Sequence, residues 1–406
     1  MKILQVNKFN YIRGGAEKYF IEISRELEKA SHQVAIFSMH HPKNTESKWD
    51  KYFVSRISFN EAKLRDRLIA PFRILYSFEA KRKFKKLIKD FQPDIIHIHN
   101  IYHQISPSIL SVAKKYKIPV IMHLHDYKLI CPNYQLFVNN KICYKCQGQK
   151  YYNCLKYKCF KKSFWQSLLV TIEMYFHHKI LNIYNKNIDL FIAPSEFMKK
   201  TVVDFGIAEK KVEVVYNFSD NLNNSPDIQE ESGYILYFGR LSKEKGIDVL
   251  LKALTLTKSK INAIIIGSGP EEEDLKKMAE NLDLKDRVKF LGYKSGEELK
   301  DYVNKAKMIA MPSIWAENMP FSLIEALQAG KIVIASNTGG MPELVKDGET
   351  GFLFENGNSQ DLANKIDEID NYDLEKIKKQ AKNRVENLDI KNHLKNILEI
   401  YKRYVK

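Results

Sequence analysis

Short apolar runs alternate with helix-periodic stretches along this chain, in two successive sets. Ile3–Val6, Val34–Phe37, Ile95–Ile98, Val120–Leu124 and Leu190–Ala193 read as buried strands of a first set. Val212–Val215, Ile235–Phe238, Ala263–Ile266, Val288–Leu291, Met308–Met311 and Ile332–Ala335 read as a second. Strands apolar on both faces belong to parallel sheets that helices cover on both sides. Ala16–Lys29 reads as such a helix, with Tyr19, Phe20, Ile23 and Leu27 along one face. A chain of 406 residues suffices for two sheets with separate cores. The expectation is an α/β protein of two doubly wound, Rossmann-like domains. The polar, turn-rich stretch Ser219–Asp227 divides them. The domains then fall at 1–217 and 233–385, with a linker at 218–232 and a last helix in 386–406.

No run approaches the roughly 18–20 apolar residues that a spanning helix needs. Met1–Asn7 is one short strand with no leader pattern, so the expected location is the cytoplasm. Charge is uneven. Residues 1–220 hold 37 Lys and Arg against 19 Asp and Glu, a balance of +18; the remainder holds 28 against 30, and the whole carries +16. An anionic partner of the first half follows, either nucleic acid or an anionic membrane surface. Asn60–Phe91 sharpens the point. Leu64, Leu68, Phe72, Leu75, Phe84 and Leu87 form an apolar face opposite many Lys and Arg, and Pro71 divides the pattern into two helices. Such a segment either lies in a membrane interface, peripheral on the inner face, or is a solvated helix packed on its own domain.

All five cysteines fall between residues 131 and 159. Cys143, Cys146, Cys154 and Cys159 are spaced as four thiolates around a structural zinc, or as free thiols of a local insertion at 131–160. Four sulfurs leave no open position, so a zinc there is not catalytic.

The chemistry-bearing residues cluster after predicted strands. Glu317 and Glu325 stand eight positions apart around Pro320, where the strand Met308–Met311 passes into a helix that Gly330 stops. Pro320 suits the first helical position, and the exposed N–H groups of that turn suit a phosphate. Carboxylates accept hydrogen bonds from sugar hydroxyls. Gly239-Arg240-Leu241-Ser242-Lys243-Glu244-Lys245-Gly246 follows the strand ending at Phe238. Its Arg240 offers a planar fork and Lys245 a point charge to a diphosphate. Gly267-Ser268-Gly269 follows the next strand, Tyr293 ends Val288–Tyr293, and Thr338–Glu343 is a turn before a helix. In the first half Gly14-Gly15 opens a helix after strand one. His125 and Asp126 leave strand four, and His97 and His99 alternate on strand three.

These motifs resemble the retaining glycosyltransferases of family 4, which have the GT-B fold of two Rossmann-like domains facing across a cleft. The resemblance covers nearly the whole chain, is strongest from Gly233 to Phe354, and departs in the cysteine insert. It implies transfer of a sugar from a nucleotide-diphosphate sugar, UDP- or GDP-type, to a hydroxyl of a glycan or lipid-linked acceptor. It places the last helix back on the first domain. Glu317 would face the donor sugar and Glu325 the ribose, with Arg240 and Lys245 on the diphosphate and His125, with Asp126, facing the reacting sugar. Gly14, Gly15, Gly239, Gly267, Gly269, Tyr293, Asn318, Met319, Pro320 and Phe321 would border the donor. No Asp-x-Asp is placed to hold a diphosphate-bound cation, so no cofactor is expected in catalysis, and surface polysaccharide or glycolipid assembly is the expected setting. A non-hydrolysing nucleotide-sugar epimerase would share the architecture but needs no acceptor. A basic nucleic-acid-binding protein would leave Glu317, Glu325 and the Arg240 loop without a purpose, so nucleic acid is not expected as a partner.

Overall fold

The structure, a computed structural model, describes residues 1–56, 71–219 and 233–405. The stretch of the basic segment up to residue 70, and linker positions 220–232, lie outside the described residues.

Two compact units partition the chain. The first comprises 1–136, 144–215 and 394–406; the second comprises 137–143 and 216–393. Strands of the first are β1 (Lys2–Val6), β2 (Gln33–Phe37), β3 (Ile95–Ile98), β4 (Val120–His123), β7 (Leu190–Ala193) and β8 (Val212–Val214). They form one sheet in the order β2-β1-β3-β4-β7-β8, with every neighbouring pair parallel. Parallel neighbours need crossovers, and the helix Gly15–Lys29 supplies the first, burying Tyr19, Phe20, Ile23 and Leu27. The sequence pattern set Val212–Val215 with the second group of strands. Its backbone pairs with β7 instead. An apolar run announces a strand but not its neighbour, which tertiary packing chooses.

The second unit has β9 (Tyr234–Phe238), β10 (Asn262–Ile266), β11 (Val288–Phe290), β12 (Met308–Met311), β13 (Ile332–Ser336) and β14 (Phe352–Phe354). Their order is β11-β10-β9-β12-β13-β14, again all parallel. Side-chain alternation splits the core between the two faces. Ile235, Tyr237, Ile265 and Ala310 pack with the helix Ile247–Leu256 on one side. Leu236, Phe238, Ile309 and Met311 pack with Leu323, Ile324 and Leu327 on the other. β14 escapes the sequence pattern because three residues are too few to show a period.

Two further segments resolve what the sequence left open. Within the cysteine insert, β5 (Phe137–Val138) and β6 (Lys141–Ile142) make an antiparallel hairpin, and Phe137 belongs to the core cluster of Tyr237, Leu241 and Ile247. The helix Phe78–Phe91, capped by the Ser77 hydroxyl on Ala80 N, buries Ala80, Phe84, Leu87, Ile88 and Phe91. Phe84 meets Phe37 edge-on at 5.0 Å between ring centres. That apolar face is core of its own unit, so it is not available to a membrane, whereas Phe72 and Phe78 stand exposed beside it.

Candidate active site

In the second sheet the chain winds outward from β9 in both directions, to β10 on one side and β12 on the other. Such a switch point leaves a crevice at the carboxyl ends of the two strands, where open α/β sheets bind ligands. The loops that open there are Gly239–Gly246 and the turn from Pro312 to Pro320. They touch backbone to backbone. Ile314 N donates to Glu244 O at 3.0 Å, and a Cβ on Gly246 would lie 2.0 Å from Pro312 O. Neighbouring loops join the same mesh. Leu241 N donates to Ser268 O and Gly340 N to Glu317 O, at 3.0 and 2.7 Å. A Cβ on Gly339, whose φ is +63°, would come within 2.1 Å of that Glu317 oxygen, so only glycine serves both the conformation and the contact.

On this mesh Glu317 and Lys245 are brought together. Lys245 Nζ lies 2.5 Å from Glu317 Oε1, and the Ser313 hydroxyl donates to the same oxygen at 2.7 Å. Burial alone would push the Glu317 carboxyl up. The Lys245 charge and the hydrogen bonds from Lys245 and Ser313 outweigh it, so the group sits below its ordinary value and is ionised. Lys245 also lies 5.7 Å from the Trp315 ring centre. Arg240 is exposed on the same loop, and its carbonyl accepts from the Tyr237 hydroxyl at 2.8 Å, which fixes the backbone that carries the guanidinium. Gly267 and Gly269 pack against Gly239 O and Leu241 O, where a Cβ would intrude to 1.8 and 2.0 Å. Tyr293 is exposed.

The helix after β12 spans Phe321–Gln328. Pro320 precedes it as the extended N-cap, φ −70° and ψ 134°, rather than occupying its first position. Its dihedrals are those of an entering strand residue, so the helix starts one position later than proline preference suggests. Met319 is buried in the core with Leu323 and Ile324, and its carbonyl accepts from Asn217 Nδ2 at 2.8 Å. Asn318 is buried and Phe321 is half-buried, 6.0 Å edge-on to Phe218. Glu325, one turn in and buried, accepts from the Ser219 hydroxyl at 3.3 Å.

The first sheet assembles its own polar cluster at the same edge. Gly14 is the extended N-cap of the helix Gly15–Lys29, and both glycines are exposed. Glu17, in the first turn, is buried, and its carboxyl is raised by desolvation against the opposing charges of Lys8 and Arg13. His125 follows β4 and stacks on His123 at 4.5 Å. Desolvation, then the Lys8 charge, lowers His125 to about 3. Asp126 is raised by desolvation, while its Oδ1 accepts from Lys128 N at 2.9 Å. His97 and His99 are fully buried beside them.

The Cys154 and Cys159 thiols are hydrogen-bond partners, and Cys131 and Cys146 lie near enough to act on Cys159. Cys143 falls in the second unit and Cys146, Cys154 and Cys159 in the first. All are free thiols, and among the described residues no group of three or more His, Cys, Asp or Glu could hold a metal ion.

Sequence reasoning missed two buried polar features. One is Gln5, a fully buried amide in β1 that meets Tyr401 of the helix Ile390–Tyr404. A glutamine inside an otherwise apolar strand was the available signal. The other is the ion pair of Lys128 Nζ with Glu173 Oε2 at 2.8 Å, with side chains 3% and 1% exposed. His103 Nε2 lies 3.2 Å from the same carboxylate, and His177 flanks it from a single turn of π-helix, Phe176–Ile180. Glu173 and His177 are one helical turn apart, but His103 and Lys128 are distant in sequence and no motif joins the four.

The family model for Glycosyltransferase Family 4 matches residues 13–221, and that for Glycosyl transferases group 1 matches residues 218–387. The chain belongs to glycosyltransferase family 4. Among curated relatives, this glycosyltransferase is 28% identical over 357 residues to the "Uncharacterized 42.6 kDa protein in cps region" of Klebsiella pneumoniae, covering 85% of this chain and 87% of that one. It is 36% identical over 137 residues to the amylovoran biosynthesis glycosyltransferase AmsK of Erwinia amylovora, 32% of this chain and 34% of AmsK. Among solved structures it resembles Anabaena Alr3699/HepE in complex with UDP, with a TM-score of 0.70 and 21% identity over 99% of this chain and all of that one, 100%. The two sheets and this likeness give the family 4 enzyme a GT-B fold. Among its described residues no helix is long and apolar enough to cross a membrane.

Proposed function

We propose that this glycosyltransferase moves a sugar from a uridine- or guanosine-diphosphate sugar to a glycan or lipid-linked acceptor hydroxyl, with retention, in the assembly of a bacterial surface polysaccharide. The observation that carries the reading is the meeting of Gly239–Gly246 with the Glu317 turn at the switch point of the second sheet. That meeting pairs Lys245 with Glu317, on the loop that carries Arg240 and just ahead of the helix that carries Glu325. Complexes of Alr3699/HepE with UDP and with UDP-glucose support a uridine donor. The relatives of the cps region and of amylovoran biosynthesis support the polysaccharide setting.

In this reading the donor diphosphate lies on the Gly239 loop and on the N–H groups that start the helix Phe321–Gln328. Negative charge grows on the leaving oxygen as its bond to the sugar breaks. Arg240 supplies a fork of donors. Lys245 spends one of its three N–H groups on Glu317 and keeps the others for phosphate. Preorganised cations at that oxygen lower the barrier, and they take the place a metal ion fills elsewhere, so the transfer is metal-independent. Glu317, held ionised, accepts from hydroxyls of the donor sugar, and Glu325 accepts from the ribose. On the first unit, His125 and Asp126 contact the reacting sugar. The protein works in the cytoplasm, peripheral on an anionic membrane. Helix Phe164–Tyr175 supports that partner, since Phe164, Trp165 and Ile172 are exposed on it behind exposed Lys161 and Lys162.

The test is turnover of a panel of nucleotide-diphosphate sugars with excess chelator present, followed by the anomeric configuration of the product by NMR. Transfer with retention supports the proposal. An inverted product, dependence on added divalent metal, or an epimerised donor formed without acceptor would overturn it.

A further inference from the structure

The first unit buries a connected line of hydrogen bonds that reaches His125. His99, just past β3, is its hub. Its Nδ1 lies 2.9 Å from His125 Nε2, and its Nε2 lies 2.8 Å from Gln5 Oε1. Gln5, in the middle of β1, donates through its Nε2 to the Tyr401 hydroxyl at 3.4 Å. That hydroxyl lies 2.6 Å from His97 Nδ1. Gln5 and His97 are direct neighbours across the β1–β3 ladder, so one oxygen of Tyr401 reaches both. Gln5, His97, His99 and Tyr401 are all fully buried.

The line has a direction. A carboxamide oxygen only accepts, so His99 must donate from Nε2. His99 is enclosed by protein, with His97 tilted against it at 4.5 Å and His125 stacked at 5.2 Å between ring centres. Burial, then the charges of those two rings, drives its titration well below the ordinary range, so it is neutral. A neutral imidazole that donates from Nε2 has a lone pair on Nδ1, which accepts the proton on His125 Nε2. His125 is therefore the Nε2–H tautomer, with its lone pair on Nδ1.

We propose that Gln5, His99 and Tyr401 are positioning residues that hold His125 in one tautomer and one ring orientation for its contact with the reacting sugar. The inference rests on the reading of His125 as a residue that contacts that sugar. It deepens that reading by making a strand interior and the C-terminal helix part of the transferase's machinery. A mere space-filling core would not care which nitrogen carries the proton.

The experiment uses full-length protein labelled with ¹⁵N-histidine. Long-range ¹H–¹⁵N correlation spectra report which nitrogen of each ring is protonated, and loss of one signal set in His125→Asn assigns that ring. The expected result is a protonated Nε2 on His125 in the parent protein. In Gln5→Met and His99→Leu it should become a mixture or the other tautomer. Turnover in both should fall about tenfold to a hundredfold, the range that partners orienting a functional imidazole contribute, with donor KM within about twofold. His99→Asn, which keeps an acceptor, should recover part of the loss. Tyr401→Phe retains the packing of its ring and provides a milder version should Gln5→Met not fold. A parent His125 protonated on Nδ1 would overturn the relay. So would an unchanged tautomer with unchanged turnover in His99→Leu and Tyr401→Phe. Unchanged transfer in His125→Ala would sink the sugar-contact reading itself, while the tautomer spectra would still decide the relay.

Discussion

Lys245 Nζ and Glu317 Oε1 lie 2.5 Å apart across 72 residues of sequence, so the cation and the carboxylate assigned to the donor are first of all partners of each other. Their side chains are 23% and 7% exposed. The pairing makes one substitution do two things. Lys245→Ala removes a charge from the phosphate side and also strands a buried carboxylate.

The two clamp cations should therefore separate experimentally. Arg240→Ala should cut turnover by about 2–4 kcal/mol of barrier, in line with loss of one preorganised donor, with little change in melting temperature. Lys245→Ala should show a comparable loss of turnover together with a lower melting temperature. Adding Glu317→Gln should restore part of the stability and none of the activity. Turnover at the parent level in both single variants would remove the clamp from the mechanism.

Nucleotide binding divides the two carboxylates. Glu325→Ala should weaken the bare nucleoside diphosphate in calorimetry, because a ribose contact is present without the sugar. Removing that hydrogen bond to a charged acceptor should raise Kd by about tenfold to a hundredfold, or 1.5–3 kcal/mol. Glu317→Gln should leave that affinity close to the parent value and depress transfer. Equal losses of nucleotide affinity would contradict the division.

The Lys128–Glu173 pair predicts a stability effect independent of catalysis. Lys128→Met should cost roughly 3–5 kcal/mol by leaving the Glu173 charge buried without its counter-ion. Lys128→Met combined with Glu173→Leu should recover most of it. The pH dependence follows from the direction of the shift. Burial opposes the Glu173 charge, but Lys128 and His103 overcome it and hold the carboxyl well below the ordinary range. A depressed carboxylate contributes its full stabilisation above its unfolded value of 4.5 and loses it as pH falls toward the folded one. Glu173→Gln should flatten the acid limb of stability below that point in denaturant titrations at stepped pH.

Membrane binding should be visible as co-sedimentation with anionic vesicles and not with neutral ones. Roughly 1 kcal/mol per cation near the surface makes it steeply salt-dependent. Replacing Phe164 and Trp165 with Ser and Lys161 and Lys162 with Gln should abolish it while transfer to a short soluble acceptor persists. Binding that ignores lipid charge, or its absence, would reduce this face to a solvated surface.

Much of the fold was legible because parallel strands buried on both faces announce themselves as apolar runs, and β1, β3, β7 and β12 stand where those runs are. Neighbours were less legible. Val212–Val214 looks the same whether it closes the first sheet or opens the second, and only pairing with β7 decides. In the site, the glycine loops and the two glutamates carried their chemistry in sequence. Their mutual contacts did not, since nothing local in Lys245 or Glu317 points to the other. Gln5, His99 and Tyr401 come from positions 5, 99 and 401, and only the sheet and the last helix bring them together. Cysteine spacing likewise did not reveal that Cys131 acts on Cys159 alongside Cys146 and Cys154.

The glycine contacts around β9 carry a consequence for how such an enzyme can change. With Gly246 on Pro312, Gly267 on Gly239, Gly269 on Leu241 and Gly339 on Glu317, four loops are keyed to one another without side chains between them. A residue inserted into any one would have to displace at least one other. New donor preferences in this scaffold should thus arise by exchanging outward groups such as Tyr293 or Arg240, while loop lengths stay fixed, as teeth on a gear can be recut but not added.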